Sequence, residues 1–152
     1  MGVDRPRSYA GRVNELSTDV VRFLSEGTRT GKLGFVAADG RPLVAPIWFV
    51  VDDGQLVFNT GAGSAKGRAL ARDPRVVLCV DLEKPPYGFV QVQGVATISE
   101  DVGDLVQTAT RIGGRYMGRD RAEEFGKRNG VPGELVVRIK PTRVIAALDM
   151  TG

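Results

Sequence analysis

A stretch of small and basic residues, "NTGAGSAKGRALARDP" at positions 59–74, has the composition of an anion-binding turn. Gly61 and Gly63 allow the backbone to turn tightly and leave room for a bulky oxyanion. Ser64 is a favourable helix N-cap, so a helix is predicted over about residues 65–72, ending before the Asp-Pro pair. The spacing therefore predicts a glycine-rich turn that leads directly into a helix N-terminus.

Such a helix start can bind phosphate, because its free amides, here those of Ala65 and Lys66, point at whatever precedes the helix. The Lys66 ammonium adds a full charge, and the Ser64 hydroxyl adds a further donor. The order Lys66-Gly67 differs from the Gly-Lys-Ser/Thr of a nucleotide-binding P-loop, which argues against a nucleoside triphosphatase. A capped surface helix whose basic residues simply face water remains the alternative interpretation.

The residue types that the sequence lacks exclude several kinds of catalytic and metal site. The 152-residue chain has no histidine and one cysteine, Cys79, inside the apolar run "RVVLCVD". Histidine-dependent triads and histidine-ligated zinc are therefore excluded, and Cys79 is expected to be a buried structural thiol. We predict no metal site and name no catalytic side chain. If the protein is an enzyme, a bound cofactor is expected to supply the reactive atoms.

Charge and hydropathy are those of an ordinary globular protein. The net charge is +3, and the basic residues form no dense run, so nucleic-acid binding is not expected. No apolar run approaches the roughly 20 residues that cross a bilayer, and the N-terminus lacks the apolar core of a signal peptide. We expect a cytoplasmic protein with no membrane partner, built as one domain over residues 1–152 with a flexible arm at 1–15.

The first half of the chain predicts a helix followed by hairpins. "ELSTDVVRFLSEG" is typical of a short amphipathic helix capped by Ser17 or Thr18. The segment 32–60 then contains three strand-like runs, separated by Asp39-Gly40 and Asp53-Gly54. Asp-Gly between apolar runs is a strong hairpin signal, because glycine accepts a positive φ.

The second half completes a mainly β protein of the α+β class. Pro42 and Pro46 indicate sheet-edge or bulge positions in the middle run of the first half. "RVVLCVD" and "GFVQVQGVATIS" are two further strands, residues 101–129 are helical in character, and "ELVVRIKPTRVIAALD" is a long strand interrupted at Pro141. Six strands with mostly hairpin connections predict a small antiparallel barrel with peripheral helices, and the absence of βαβ alternation argues against a Rossmann fold.

This order of elements resembles the pyridoxamine-phosphate-oxidase-like split β-barrel superfamily of flavin and deazaflavin proteins. The resemblance is carried by the strand ending "VFNT", the turn with Ser64 and Lys66, and "DPRVVLCVD", and it spans residues 31–148. "GRPLVAPIWFV", "PPYGFVQVQG" and "RIGGRYMG" are similar to the branch that uses the deazaflavin coenzyme F-420. The resemblance implies a six-stranded, FMN-binding-type split barrel that forms a homodimer, with the cofactor in a groove between the two barrels.

The resemblance also implies which residues contact the cofactor. The phosphate contacts are expected at Ser64, Ala65, Lys66 and Arg68, and the tricyclic ring is expected along Pro46, Ile47 and Trp48. The ribityl chain or ring edge is expected at Asn59 and Thr60, and aromatic walls are expected at Tyr87 and Phe89. Some relatives carry arginine where Ser64 stands, which makes Arg68 a candidate replacement. Because Trp48 and Phe49 alternate on a strand, one of them is core, and we expect it to be Phe49.

A basic row suggests a use for the acidic tail of F-420. Arg111, Arg115 and Arg119 recur at intervals of four, so on one helix they would be neighbours. F-420 carries an oligoglutamate tail that FMN lacks, and this row, Arg115 above all, is hypothesised to bind it. A solvated basic face is the alternative, because the intervening glycines weaken helical continuity.

The leading hypothesis is a reductase that uses reduced F-420 to transfer hydride to an electron-poor small organic acceptor. An FMN-binding oxidoreductase of the same fold is the first alternative. A protein that binds or carries F-420 without catalysis is the second. The substrate itself is not predictable from the sequence.

Overall fold

A computed structural model describes residues 14–152, so residues 1–13 of the arm predicted at 1–15 lie outside the described residues. The strands are β1 (Gly31–Val36), β2 (Pro42–Ile47), β3 (Val50–Asp52), β4 (Gln55–Gly61), β5 (Arg75–Asp81), β6 (Tyr87–Ser99) and β7 (Glu134–Asp149). The helices are α1 (Thr18–Ser25), α2 (Ala65–Arg72), α3 (Val102–Met117) and α4 (Ala122–Asn129), with a 3₁₀ turn at Arg119–Arg121. The predicted α+β, mainly antiparallel fold is confirmed.

The strands form one antiparallel sheet in the order β2-β1-β5-β6-β7-β4-β3, and this order forces the sheet to curl. Strands β2 and β3 stand at opposite edges, which a flat sheet would separate by about 29 Å at ~4.8 Å per strand. Only Trp48 and Phe49 connect them, and such a link spans about 10 Å at most. The two edges must therefore meet, and the sheet closes into a split barrel.

Two apolar clusters hold the elements together. The larger fills the barrel with buried side chains from all but the shortest strand, such as Phe58, and takes Phe49 from the link between β2 and β3, Leu24 from α1 and Leu70 from α2. The smaller lies outside the barrel, where α3 covers β3, β4 and β7 through a second set of residues: Val50, Val57, Leu105, Ile112 and Val136. Phe49 is thus core, as predicted.

The strand count differs from the prediction because the middle apolar run contains two strands. The run was expected to be one strand, but β2 ends at Ile47 and β3 begins at Val50. Trp48 and Phe49 connect one sheet edge to the other. Because their side chains are apolar, the sequence pattern does not show that a strand ends here. Seven strands therefore replace the predicted six.

The local turn and cap predictions hold. Gly40 and Gly54 have φ of 88° and 71°, and Asp53 also has a positive φ of 50°, as the hairpin turns require. Ser17 is the N-cap of α1 and accepts a hydrogen bond from the Val20 amide. Strand β2 pairs only with β1, so its two prolines do lie on an edge strand.

Strand β7 runs through Pro141 without the predicted interruption. Gly94 of β6 faces Pro141, while the preceding Gln93 faces Arg143, so the register shifts by one residue at this point. The shift is a β-bulge, which accommodates the missing proline amide and bends the pair instead of ending it. Among residues 14–152, no helix has the length and apolarity needed to cross a membrane.

Candidate functional site

The turn before α2 has the predicted form, but it uses Ser64 internally. Ser64 caps the helix, with its Oγ accepting from the Gly67 amide at 3.0 Å. The same hydroxyl donates to the Gly61 carbonyl at 2.7 Å and lies 3.1 Å from the Thr60 hydroxyl. A hydroxyl has one proton, so donation from Ser64 to a phosphate would require it to leave the Gly61 carbonyl. The side chain holds the turn, and its role as a phosphate donor stays a prediction.

The amides of the first turn of α2 remain available. The helix spans eight residues, and among the described bonds the amides of Ala65 and Lys66 have no acceptor. The turn packs so closely on the helix that a Cβ at Gly67 would collide with the Gly61 carbonyl. Two oriented N–H groups and the positive end of the helix dipole thus face the space before the helix.

Lys66, the second residue of α2, lines a pocket of about 300 Å³. Five of the predicted site residues line it: Pro46, Ile47, Trp48, Asn59 and Lys66. Lys66 is half-buried, and Trp48 is 39% exposed with its ring on the pocket wall. The structure therefore brings together the predicted ring contacts and the predicted phosphate cation, which come from three separate elements.

The opposite wall consists of residues that sequence reasoning missed. They come from α3 and α4 and are largely apolar: Ala109, Ile112, Gly113, Phe125 and Asn129. Gly113 was the available signal, since a glycine inside a helix marks close packing. A Cβ there would lie 2.5 Å from the Phe125 Cβ. Within residues 14–152 no carboxylate lines the pocket, so it suits a planar ligand with an anionic end near Lys66.

Other predicted residues lie away from the pocket. Thr60 alternates with Asn59 on β4, so its side chain points to the barrel interior and is only 7% exposed. Arg68 is exposed and lies two residues from Lys66, hence on another side of α2. Tyr87, half exposed with φ of 56°, and Phe89 stand at the start of β6. Neither aromatic residue lines the pocket of a single chain.

The predicted basic row is not continuous, because α3 ends at Met117 and Gly118 adopts φ of 100°. Arg119 therefore belongs to the following 3₁₀ turn, and Arg111 pairs with Asp52 at 3.1 Å. Arg115 donates to three backbone carbonyls and does not line the pocket. Arg115 thus has a structural task in this chain, and its hypothesised contact with the tail stays a prediction.

Helix α3 is fixed to the barrel at its other end by a two-pronged ion pair. Arg138 on β7 donates to both carboxylate oxygens of Asp104 at 2.6 and 2.7 Å, and these side chains are 30% and 20% exposed. The hydrogen bonds from Arg138 hold the pKa of Asp104 below its usual value, and bonds from Ser99 and Thr108 add to this effect. The pair keeps the α3 wall of the pocket in place.

Comparison with known protein families decides the family. The sequence matches the family model described as pyridoxamine 5'-phosphate oxidase over residues 17–147. The chain belongs to this family. The match covers every helix and every strand, apart from the last two residues of β7. No curated protein matches the chain.

Solved structures share the family fold. The Mycobacterium tuberculosis protein Rv2991 is 26% identical with a TM-score of 0.76, over 91% of this chain and 89% of that chain. An F420 reductase is 24% identical with a TM-score of 0.62, over 81% and 94%. HutZ, a haem storage protein from Vibrio cholerae, is 19% identical with a TM-score of 0.68, over 90% and 98%. Proteins that are named for different functions therefore share this fold.

Proposed function

We propose that this member of the family is an oxidoreductase that uses reduced coenzyme F-420 to reduce an electron-poor small organic acceptor. The observation that carries the proposal is that Lys66, in the first turn of α2, lines the same pocket as Trp48. A cofactor with a planar ring and a phosphate needs both features at once. The likeness to an F420 reductase and the "RIGGRYMG" motif favour the deazaflavin over FMN.

The residues present fit a phosphate-bearing ring. The amides of Ala65 and Lys66, with the Lys66 ammonium, would hold the phosphate. Trp48 and the apolar α3–α4 wall would hold the ring and exclude water from one of its faces. A volume of about 300 Å³ lies at the lower limit of ligand pockets, which suits the ring portion of such a cofactor.

The role of the chain in the reaction is to position the cofactor. Bound F-420 would supply a hydride, and the protein would anchor the phosphate remotely so that the ring is held in one orientation. Tyr116 stacks on the pocket residue Trp48, and its hydroxyl donates to the Arg29 carbonyl at 3.0 Å and accepts from the Phe49 amide at 3.2 Å. Its proton is therefore committed to the backbone. No side chain of the chain is assigned as an acid.

The proposal includes a homodimer formed through the outer face of the barrel. Register places Val44, Gly34 and Val77 in one row across β2, β1 and β5, and Val44 is 71% exposed. A groove of about 680 Å³ lies beside this row. Pro46 stands two residues from Val44 on the same face and lines the cofactor pocket. A second copy on this face would therefore complete the open side of the pocket.

Ligand titration of purified protein tests the phosphate site. FMN and riboflavin form one pair, and F-420 and its phosphate-free deazaflavin chromophore form the other; binding is followed by fluorescence. Lys66→Ala is expected to weaken the phosphate-bearing member by about 10- to 100-fold, the worth of a charge-assisted bond, and to leave the phosphate-free member unchanged. Arg68→Ala is the matched control, since it removes the same charge from the exposed side of α2.

The outcome separates the alternatives. Tighter binding of F-420 than of FMN supports the proposal, and the reverse preference replaces it with an FMN-binding oxidoreductase. Turnover of reduced F-420 with a panel of quinone, enone and nitroaromatic acceptors then separates a reductase from a carrier. Equal losses of ligand affinity in Lys66→Ala and Arg68→Ala would contradict the proposed phosphate site.

A further inference from the structure

The link between the two sheet edges has backbone groups that no strand can satisfy. Trp48 and Phe49 lie between β2 and β3, outside both ladders. Phe49 is fully buried, so an unpaired amide or carbonyl there would cost about 1–3 kcal/mol. The end of α3 supplies both partners. Tyr116 Oη accepts from the Phe49 amide at 3.2 Å, and Arg115 Nη1 donates to the Phe49 carbonyl at 2.6 Å.

Arg115 ties this link to the C-terminal end of α1. Its Nη2 donates to the Leu24 carbonyl at 2.7 Å and its Nε to the Gly27 carbonyl at 3.1 Å. The carbonyls at the end of a helix lack partners within the helix, and a cation there also complements the helix dipole. The guanidinium carbon lies 4.8 Å from the centroid of the Phe49 ring. The positive charge of the Arg115 guanidinium thus interacts with three carbonyl dipoles and with the face of the Phe49 ring.

Tyr116 acts on the neighbouring residue through its ring. The Trp48 and Tyr116 rings stack with centroids 5.0 Å apart and planes 4° apart. The hydroxyl of the same tyrosine holds the Phe49 amide and the Arg29 carbonyl. One side chain therefore restrains both the backbone after Trp48 and the plane of the Trp48 ring, which is a wall of the pocket.

We infer that Arg115 and Tyr116 are positioning residues, a clamp that fixes the Trp48 ring for cofactor binding. This inference rests on the proposed function in placing the cofactor ring against Trp48. The clamp acts through Trp48 and touches no ligand itself, since neither of its residues lines the pocket. Loss of the clamp should therefore weaken binding of the ring half of the cofactor and leave binding of the phosphate half unchanged.

Tyr116→Phe is the sharpest variant, because it keeps the stacked ring and removes both hydrogen bonds of the hydroxyl. Trp48 is the single tryptophan, so its intrinsic fluorescence reports the clamp without any ligand. We expect altered emission and greater acrylamide quenching. The binding of FMN and riboflavin, or of F-420 and its phosphate-free chromophore, should weaken by the same factor, about five-fold or more for the two lost hydrogen bonds.

Arg115→Lys is the second variant, since one ammonium cannot span three carbonyls, and it should act in the same direction. Arg111→Ala is the control, because it removes a guanidinium of α3 that pairs with Asp52 and does not reach Phe49. Thermal melting confirms that each variant is folded.

Two results would overturn the clamp: unchanged Trp48 fluorescence in both clamp variants, or unchanged affinity for the phosphate-free ring. An equal effect of Arg111→Ala would also overturn it, by showing that any loosening of α3 suffices. If the wild-type protein binds neither cofactor, the proposed function fails, while the fluorescence comparison still decides whether the clamp orders Trp48.

Discussion

Ser64 is confirmed as the N-cap of α2, while its predicted contact with a phosphate stays a prediction. Its position before a helix was readable from local chemistry, because serine followed by small residues after a glycine turn favours an N-cap. The sequence did not show which acceptor the single hydroxyl proton of Ser64 would bond to. That depends on the Gly61 carbonyl and the Thr60 hydroxyl, which approach only when the turn folds back.

Ser64→Ala is expected to lower the free energy of unfolding by about 1 kcal/mol, because the Gly67 amide loses its cap. Cofactor affinity should fall through loosening of the turn, and by less than in Lys66→Ala. Urea denaturation and ligand titration measure the two effects. Ser64→Thr keeps the hydroxyl and should restore most of the stability. A variant as stable as wild type would show that the cap contributes nothing.

Helix α3 matters to the pocket as a whole element. The ion pair of Asp104 and Arg138 holds its start, and Arg115 and Tyr116 hold its end. Its glycine at position 113 allows Phe125 of α4 to approach and complete the wall. The sequence predicted that residues 101–129 are helical in character. The use of this region as a pocket wall was not predictable, because Phe125 and Asn59 are far apart in the chain.

Asp104→Asn is expected to cost about 1–3 kcal/mol at neutral pH, since it weakens a partly buried, two-pronged ion pair. The pKa of Asp104 is lowered in the fold, so its contribution is complete above the ordinary value of about 3.9 and is lost as the pH falls through the folded value. Wild type should therefore lose more stability than the variant on acidification.

Urea denaturation at pH 7 and pH 3 measures this difference. Glu123→Gln is the control, because its pair with Lys127 is 84% and 77% exposed and should contribute little. Parallel losses of stability in wild type and Asp104→Asn would contradict the assignment.

At the scale of the whole molecule, the sequence predicted the class of fold better than its closure. Asp-Gly turns, edge prolines and apolar alternation specify hairpins locally. The junction at Trp48 and Phe49 escaped prediction because "APIWFVV" is apolar throughout, and only the tertiary fold decides where one strand ends. The partners of that junction, 66 and 67 residues later in the chain, were equally beyond local pattern.

The exposed outer face gives a prediction about assembly. Val44→Lys should shift the protein from a dimer, twice 16.3 kDa, towards a monomer, because it puts a charge into the proposed interface. Val44 is 71% exposed in the single chain, so the monomer fold should be little affected. Sedimentation velocity measures the change. Val131→Lys, at another exposed valine, should leave the mass unchanged, and a monomeric wild type would refute the dimer.

The pairing of β4 with β7 has a consequence for the order of synthesis. Residues 56–61, which lead into the α2 turn, pair only with β3 and with residues 134–139, and the Ala62 amide bonds to the Gly133 carbonyl. A ribosome must therefore release most of the chain before the turn acquires its neighbour. Nascent polypeptides shorter than that should not retain the coenzyme, whatever the state of their N-terminal hairpins.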